Sequence, residues 1–356
     1  MARDRRIEEL FGIDLPIIQA PMAGAQASAM AIAVANAGGL GSLPAALLTH
    51  EQMRTELAII RQQTGKPVNV NFFCHTPPAP DVTREAGWRA RLSSYYAEFD
   101  IDPAAPIPSS NRAPFDETFC AIVEEYRPEV VSFHFGMPNA ALVDRVKATG
   151  ARVVSSATTV AEARWLEARG CDAIIAQGNE AGGHRGIFLT EAIGSQPGLF
   201  ALLPQVVDAV DVPVIAAGGI ADGRGIAAAF ALGASAVQVG TAYLFTPEAK
   251  ITPMHRVALK SATDDGTALT NLFTGRPARG LMNRVMREVG PISADAPAFP
   301  TAGGALMPLK AKAEAVGSGD FSSLWSGQSA ALGREMGAGE LTLALWAEAR
   351  ERIGER

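Results

Sequence analysis

The decapeptide Gln177-Gly-Asn-Glu-Ala-Gly-Gly-His-Arg-Gly186 gathers more chemically capable groups than any other stretch of the chain. Its glycines let the backbone lie flat against a planar or anionic ligand, His184 is able to carry a proton near pH 7, and Arg185 adds a fixed positive charge. Taken alone, these residues equally fit a tight turn and a hydrogen-bonded structural histidine. Comparable polar or glycine-bearing clusters recur along the chain at Gln19 to Met22, Asn71, His134, Gly218-Gly219 and Gln238 to Thr241. The Ala-Gly-Gly and Val-Gly-Thr pairs present backbone N–H groups, and with the Thr241 hydroxyl they suit a phosphate. Met22-Ala23, after Pro21, suits one face of a flat ring. His50, His75 and His255 lack such settings and are expected to be non-catalytic. No His/Asp/Glu cluster has the spacing of a metal site, so no metal is expected.

Each cluster needs a rigid element behind it, and each follows a short apolar run. Ala173-Ile-Ile-Ala176 is too short for a helix and reads as a buried strand, so the His184 loop leaves a strand's carboxyl end. The same reading gives strands over 16–22, 40–43, 67–73, 130–135, 153–156, 212–217 and 236–239, separated by helical patterns. Thr49 with Gln52 forms a capping box for one of these helices, and Thr159 caps another. Alternation along 67–73 puts Asn69 and Asn71 on one face. Eight strand-helix units favour a closed (β/α)8 TIM barrel over an open doubly wound sheet, with all the polar strand ends on one face. The expected organisation is a barrel over 1–246 and a helical and loop excursion over the mouth at 247–317. C-terminal helices over 318–356 then return to the barrel. The proline-rich stretch 74–115 reads as an inserted loop with one helical piece near 84–96.

Bulk properties bound the function. At 356 residues, 48% hydrophobic and 19% charged with 35 glycines, the chain has the material for a large α/β core. A formal charge of −6 argues against a general nucleic-acid or anionic-membrane binder. Cys74, Cys120 and Cys171 form no C-x-x-C pair, which speaks against a disulfide framework or zinc cluster. With no apolar run of spanning length and no signal-like start, a soluble cytoplasmic protein is expected. Monomer and homodimer both remain open.

Seven motifs stand in order: Gln19-Ala-Pro-Met-Ala23, Asn36-Ala-Gly-Gly-Leu-Gly41, Asn69-Val-Asn-Phe72, Ser132-Phe-His-Phe-Gly136, Glu180-Ala-Gly-Gly-His184, Ala216-Ala-Gly-Gly-Ile220 and Gln238-Val-Gly-Thr241. With them the chain resembles the nitronate monooxygenases, formerly 2-nitropropane dioxygenases, which are FMN-binding (β/α)8 barrels. The likeness runs from Pro16 to about Thr241 and more loosely through Phe299 and Trp325-Ser-Gly-Gln-Ser329. Ser132-Phe-His-Phe-Gly136 is its narrowest mark, since the Glu-Ala-Gly-Gly-His and Ala-Gly-Gly-Ile pair is shared with a wider superfamily.

The resemblance implies FMN with its phosphate near Gly219, Gln238, Gly240 and Thr241 and its ring over Met22 and Ala23. Asn71 and Gln177 would meet the ring's polar edge, and Ala20, Pro21, Gly182, Gly183, Ala217 and Gly218 would complete the cofactor site. It implies His184 as general base, His134 as a second histidine at the substrate, and Phe299 as a substrate contact. The implied reaction is oxidative denitrification of alkyl nitronates or nitroalkanes, propionate 3-nitronate among them, by O2. It gives a carbonyl compound and nitrite through an anionic flavosemiquinone, without NAD(P)H. The lid departs from the family pattern: relatives often place tyrosines and a lysine there, whereas this chain has Phe299-Pro-Thr-Ala-Gly-Gly304 with only Lys310 nearby. The alternative enzyme is an FMN-dependent NAD(P)H oxidoreductase acting on a quinone or an enoyl thioester, and the alternative from another class is a flavin-binding protein without turnover.

Overall fold

A computed structural model describes residues 3–108 and 112–355. Eight parallel strands surround the core: β1 (Ile17–Gln19), β2 (Gly41–Pro44), β3 (Val68–Phe73), β4 (Val130–His134), β5 (Arg152–Ala157), β6 (Ala173–Gln177), β8 (Val214–Ala217) and β9 (Ala236–Val239). Their order is β1-β9-β8-β6-β5-β4-β3-β2, and the Ile18–Leu40 bridge brings the first two strands together so that the sheet closes. These are the eight expected strands of a TIM barrel. Buried on both faces, most of them read as apolar runs, while β3 alternates through Asn69 and Asn71.

Helices between the strands bury one stripe against the sheet. The helix His50–Gln63 starts with the expected capping box, in which Thr49 Oγ1 accepts from Gln52 N at 3.2 Å and Gln52 Oε1 accepts from Thr49 N at 2.9 Å. At the other end of the chain, the helix Ala338–Ile353 packs against the helices Gly223–Ala231 and Ser28–Asn36. It therefore takes the eighth helix position between the last and first units. Arg3 reinforces this closure, lying 5.3 Å from the Phe230 ring and 5.0 Å from the Trp346 ring while pairing with Glu8 at 2.6 Å.

Three strands belong to a second sheet that the sequence reading missed. β7 (Gly183–His184) lies inside the glycine loop, and β10 (Thr267–Thr270) with β11 (Ala278–Leu281) forms a hairpin in the excursion expected to hold only helices and loops. All three pair antiparallel in the order β10-β11-β7, with Ala278 opposite His184 and Arg279 opposite Gly183. A two-residue strand has no periodicity to read. It exists because a distant hairpin supplies its partner.

The 74–115 insertion also does more than cross the surface. Its helical piece is two helices, Val82–Arg91 and Ser93–Glu98. Trp88, Leu92, Tyr95 and Tyr96 enter a second apolar core with Leu272, Phe273, Val285, Met286, Leu306, Leu309 and Phe321. Trp88 Nε1 donates to Ala302 O at 3.0 Å and Tyr96 Oη to Ala305 O at 2.6 Å, so both aromatic side chains are buried with their polar ends satisfied. Among the described residues no helix is long and apolar enough to cross a membrane.

Candidate active site

The carboxyl ends of the barrel strands open into a cavity of about 390 Å³. Its wall contains Ala20, Pro21, Met22 and Ala23 after β1, Asn71 in β3, His134 in β4, and Gln177, Gly182, Gly183 and His184 on and after β6. Ala217, Gly218 and Gly219 at β8, with Gln238, Gly240 and Thr241 at β9, complete the opposite side. The structure thus brings together every residue expected at the site except Phe299. That side chain is buried in an aromatic cluster behind the wall, its ring centroid 5.4 Å from that of His184 and 4.7 Å from that of His75.

The His184 loop is stapled at several points. Gln177 Nε2 donates to His184 O at 2.9 Å, and Gln177 Oε1 accepts from Gly186 N at 2.7 Å. His134 Nε2 lies 3.2 Å from the same His184 carbonyl and His134 Nδ1 lies 3.1 Å from Ser156 Oγ. A carbonyl only accepts, so His134 carries its proton on Nε2 and Ser156 donates to Nδ1. Burial holds the His134 pKa down at about 4, which agrees with this neutral form. Further along, Glu162 is fully buried and accepts from Thr158 N, Thr158 Oγ1 and Phe188 N, each at 2.7 Å, and from Leu189 N at 3.1 Å. The two oxygens of Glu180 accept from Leu199 N at 2.9 and 2.8 Å, capping a helix whose own N-cap is Gly198.

Arg185, expected to be the fixed positive charge beside His184, turns into the loop instead. It is 1% exposed, and its guanidinium bonds the carbonyls of Gln177 and Gly178 and the Gln196 side chain. Positive charge reaches His184 from elsewhere. Burial first, then Arg112, His134, Arg276 and His75 in that order, hold the His184 pKa well below 6.5. Arg112 lies in the cavity wall, and the Arg276 guanidinium stands 4.3 Å from the centre of the Phe135 ring. Arg112 was missed because it falls in a proline-rich insertion, and Arg276 because it lies in the turn of a hairpin with no local signature. Phe135 itself has φ of 69°, a left-handed conformation that costs a non-glycine residue about 1–3 kcal/mol. Its ring packs against Phe73, His134, His184 and Phe299, contacts that offset the strain.

The β8 and β9 side of the cavity fits an anionic group. The amides of Gly218, Gly219 and Gly240 donate to nothing among the described residues, and Gln238 Oε1 is buried without a partner there. Gly218 and Gly219 have φ of 113° and 70°, so a side chain at either would be strained. A Cβ on Gly240 would project to 3.5 Å from Ala20 Cβ and 3.9 Å from Met22 Sδ, filling space against that wall. Thr241 Oγ1 accepts from Gly327 N at 2.8 Å and retains its own proton to donate. The opposite rim is lined by Lys250, His255, Lys310, Glu314, Ser322 and Trp325. His255 is held there by a 3.0 Å contact from Nε2 to Trp325 O. Among the described residues no three His, Cys, Asp or Glu side chains stand close enough together to hold a metal ion.

This arrangement has known counterparts. The nitronate monooxygenase family model matches residues 4–348. The chain belongs to the nitronate monooxygenase family. A nitronate monooxygenase of Pseudomonas aeruginosa is 44% identical over 97% of this chain and 99% of its own length, and one from Paraburkholderia phytofirmans is 42% identical over 98% and 96%. Among solved structures, a nitroalkane oxidase from Streptomyces ansochromogenes superposes with a TM-score of 0.88 at 40% identity, covering 98% of this chain and 99% of that one. Nitronate monooxygenases are flavin-dependent oxidoreductases, and the chain is an enzyme of that class.

Proposed function

We propose that the cavity binds FMN and that the enzyme oxidises alkyl nitronates with O2 to a carbonyl compound and nitrite. The observation that carries this reading is the two-ended cavity. One end is a cradle of unpaired amides, and the other is a half-buried neutral histidine ringed by cations. In this reading the amides of Gly218, Gly219 and Gly240, with Gln238 and Thr241, hold the FMN phosphate and ribityl chain, and Met22, Ala23, Asn71 and Gln177 border its ring. When bound, FMN would supply the redox chemistry between the nitronate and O2. The protein supplies binding, orientation and electrostatics.

A neutral imidazole at His184 takes the α-proton from a neutral nitroalkane. Arg112 and Arg276, which disfavour a positive charge on the ring, favour the nitronate anion left behind. His134 uses both ring nitrogens within the protein, so its work is to hold the His184 carbonyl in place beside Gln177. The aromatic wall of Phe73, Phe135, Phe299 and Trp325 keeps water away from the His184 ring.

The deciding experiment mixes the flavin-loaded protein anaerobically with an alkyl nitronate or with NADPH, following visible absorbance. Rapid change with the nitronate and none with NADPH is expected. Rapid bleaching by NADPH with an inert nitronate would replace the reading by an NAD(P)H-dependent reductase. His184→Asn is expected to abolish turnover of neutral nitroalkanes while sparing part of the turnover of preformed nitronates.

A further inference from the structure

His184 Nε2 lies 2.9 Å from Thr274 Oγ1. Thr274 is 1% exposed and sits in the turn between β10 and β11, the hairpin that pairs with β7. Its hydroxyl has only one proton, and that proton is directed to Arg276 O at 3.3 Å, while Arg276 N donates back to the same oxygen at 3.4 Å. With that proton on Arg276 O, the oxygen meets His184 as an acceptor and the ring nitrogen facing it carries hydrogen. Thr274 lies outside the cavity wall that His184 helps to form. The opposite nitrogen, Nδ1, has no hydrogen-bond partner among the described residues and is not among the sealed, unpartnered atoms, so it opens onto the cavity.

We infer that Thr274 is a positioning residue that fixes the tautomer of His184, holding hydrogen on Nε2 and leaving the Nδ1 lone pair as the base. This rests on His184 being the general base. In the step concerned, the α C–H bond of a nitroalkane breaks and the proton goes to Nδ1. The C–H electron pair becomes the C=N bond of the nitronate, with charge on the nitro oxygens. The Nε2–H bond stays intact, and as the ring becomes a cation its hydrogen bond to Thr274 Oγ1 strengthens. Gly275 secures the geometry. Its φ is 93°, its amide donates to Asn271 O at 2.7 Å, and a Cβ there would meet Pro297 O at 2.3 Å, so the turn has one way to fit.

The test uses protein with ring-15N histidine, in which long-range proton–nitrogen correlations tell a protonated ring nitrogen from a bare one, and the His184→Asn variant assigns the signal. His184 is expected to show protonated Nε2 and bare Nδ1 in the wild type and in Thr274→Ser. In Thr274→Val, which keeps the shape but removes the acceptor, a mixture or the reverse tautomer is expected. In turnover, Thr274→Val should lower the ratio of kcat for nitroethane to kcat for ethylnitronate about tenfold, the effect of one ordinary hydrogen bond. Thr274→Ser should restore the ratio. A wild-type spectrum with protonated Nδ1, or an identical spectrum in Thr274→Val, overturns the inference. If His184→Asn leaves nitroethane turnover intact, the base reading fails instead, and the spectrum alone then judges the Thr274–His184 link.

Discussion

Replacing Glu162 by glutamine tests whether the His184 loop is held by a buried carboxylate. Four donors converge on it: Thr158 N and Oγ1 on one oxygen, and Phe188 N and Leu189 N on the other. A glutamine of the same shape keeps one oxygen. With its NH2 turned to Thr158, the hydroxyl reverses to accept, and the loop amides keep their oxygen, but Thr158 N faces a donor and is left unpaired. An unpaired buried N–H costs about 1–3 kcal/mol, and each remaining bond falls from charge-assisted to neutral strength at about 0.5–1 kcal/mol apiece. The total is about 2.5–6 kcal/mol, a large part of the roughly 5–15 kcal/mol that stabilises a typical domain. Urea unfolding should show this as a lower midpoint at unchanged slope. Hydrogen exchange should show the amides of Phe188 and Leu189 opening faster. A loss below about 1 kcal/mol, with exchange at these amides unchanged, would refute the staple.

Acidification should destabilise the protein. Burial lowers His75, His134 and His255 to about 4 in the folded state and holds His184 well below 6.5, so the unfolded chain binds these protons first. Stability is then fully present above the unfolded histidine value of about 6.5 and falls as pH drops toward 4. Thermal melts of the flavin-free protein across this range check the sign, and a flat profile counts against it. Gly275→Ala places a Cβ at positive φ against Pro297 O and should lower stability by about 2 kcal/mol or more, read by urea midpoint. Gly240→Val fills the proposed phosphate end at a position whose φ of −113° accepts a side chain, so flavin content on purification should fall sharply with the melting temperature little changed. Full flavin occupancy in that variant would move the phosphate elsewhere.

Much of this molecule is local and so was legible in the chain. Buried strands such as Ala173–Gln177 are apolar until their carboxyl end, and the turns behind them favour glycine where φ is positive, as at Gly218 and Gly219. Polar residues at strand ends then had one barrel face to share, which is why Asn71, His134, Gln177 and Gln238 all reached the cavity. Caps such as Thr49 and Thr159 were readable because their partners lie three residues away. Other features depend on contacts between segments far apart in sequence, and no local pattern encodes those. Arg185 looked like a charge beside the site, yet the fold turned it toward the loop's own carbonyls. Phe299, expected at the substrate, went behind His184. The cations near His184 came from Arg112 in the insertion and Arg276 in a hairpin. Sequence by itself determined the barrel and the glycine turns at its strand ends, because period, burial and backbone strain act over a few residues, and the family resemblance singled out the two histidines. Which nitrogen of His184 is tied down, and which charges surround it, was decided only when Thr274, 90 positions away, came within 2.9 Å, because tautomer and field follow distance in space.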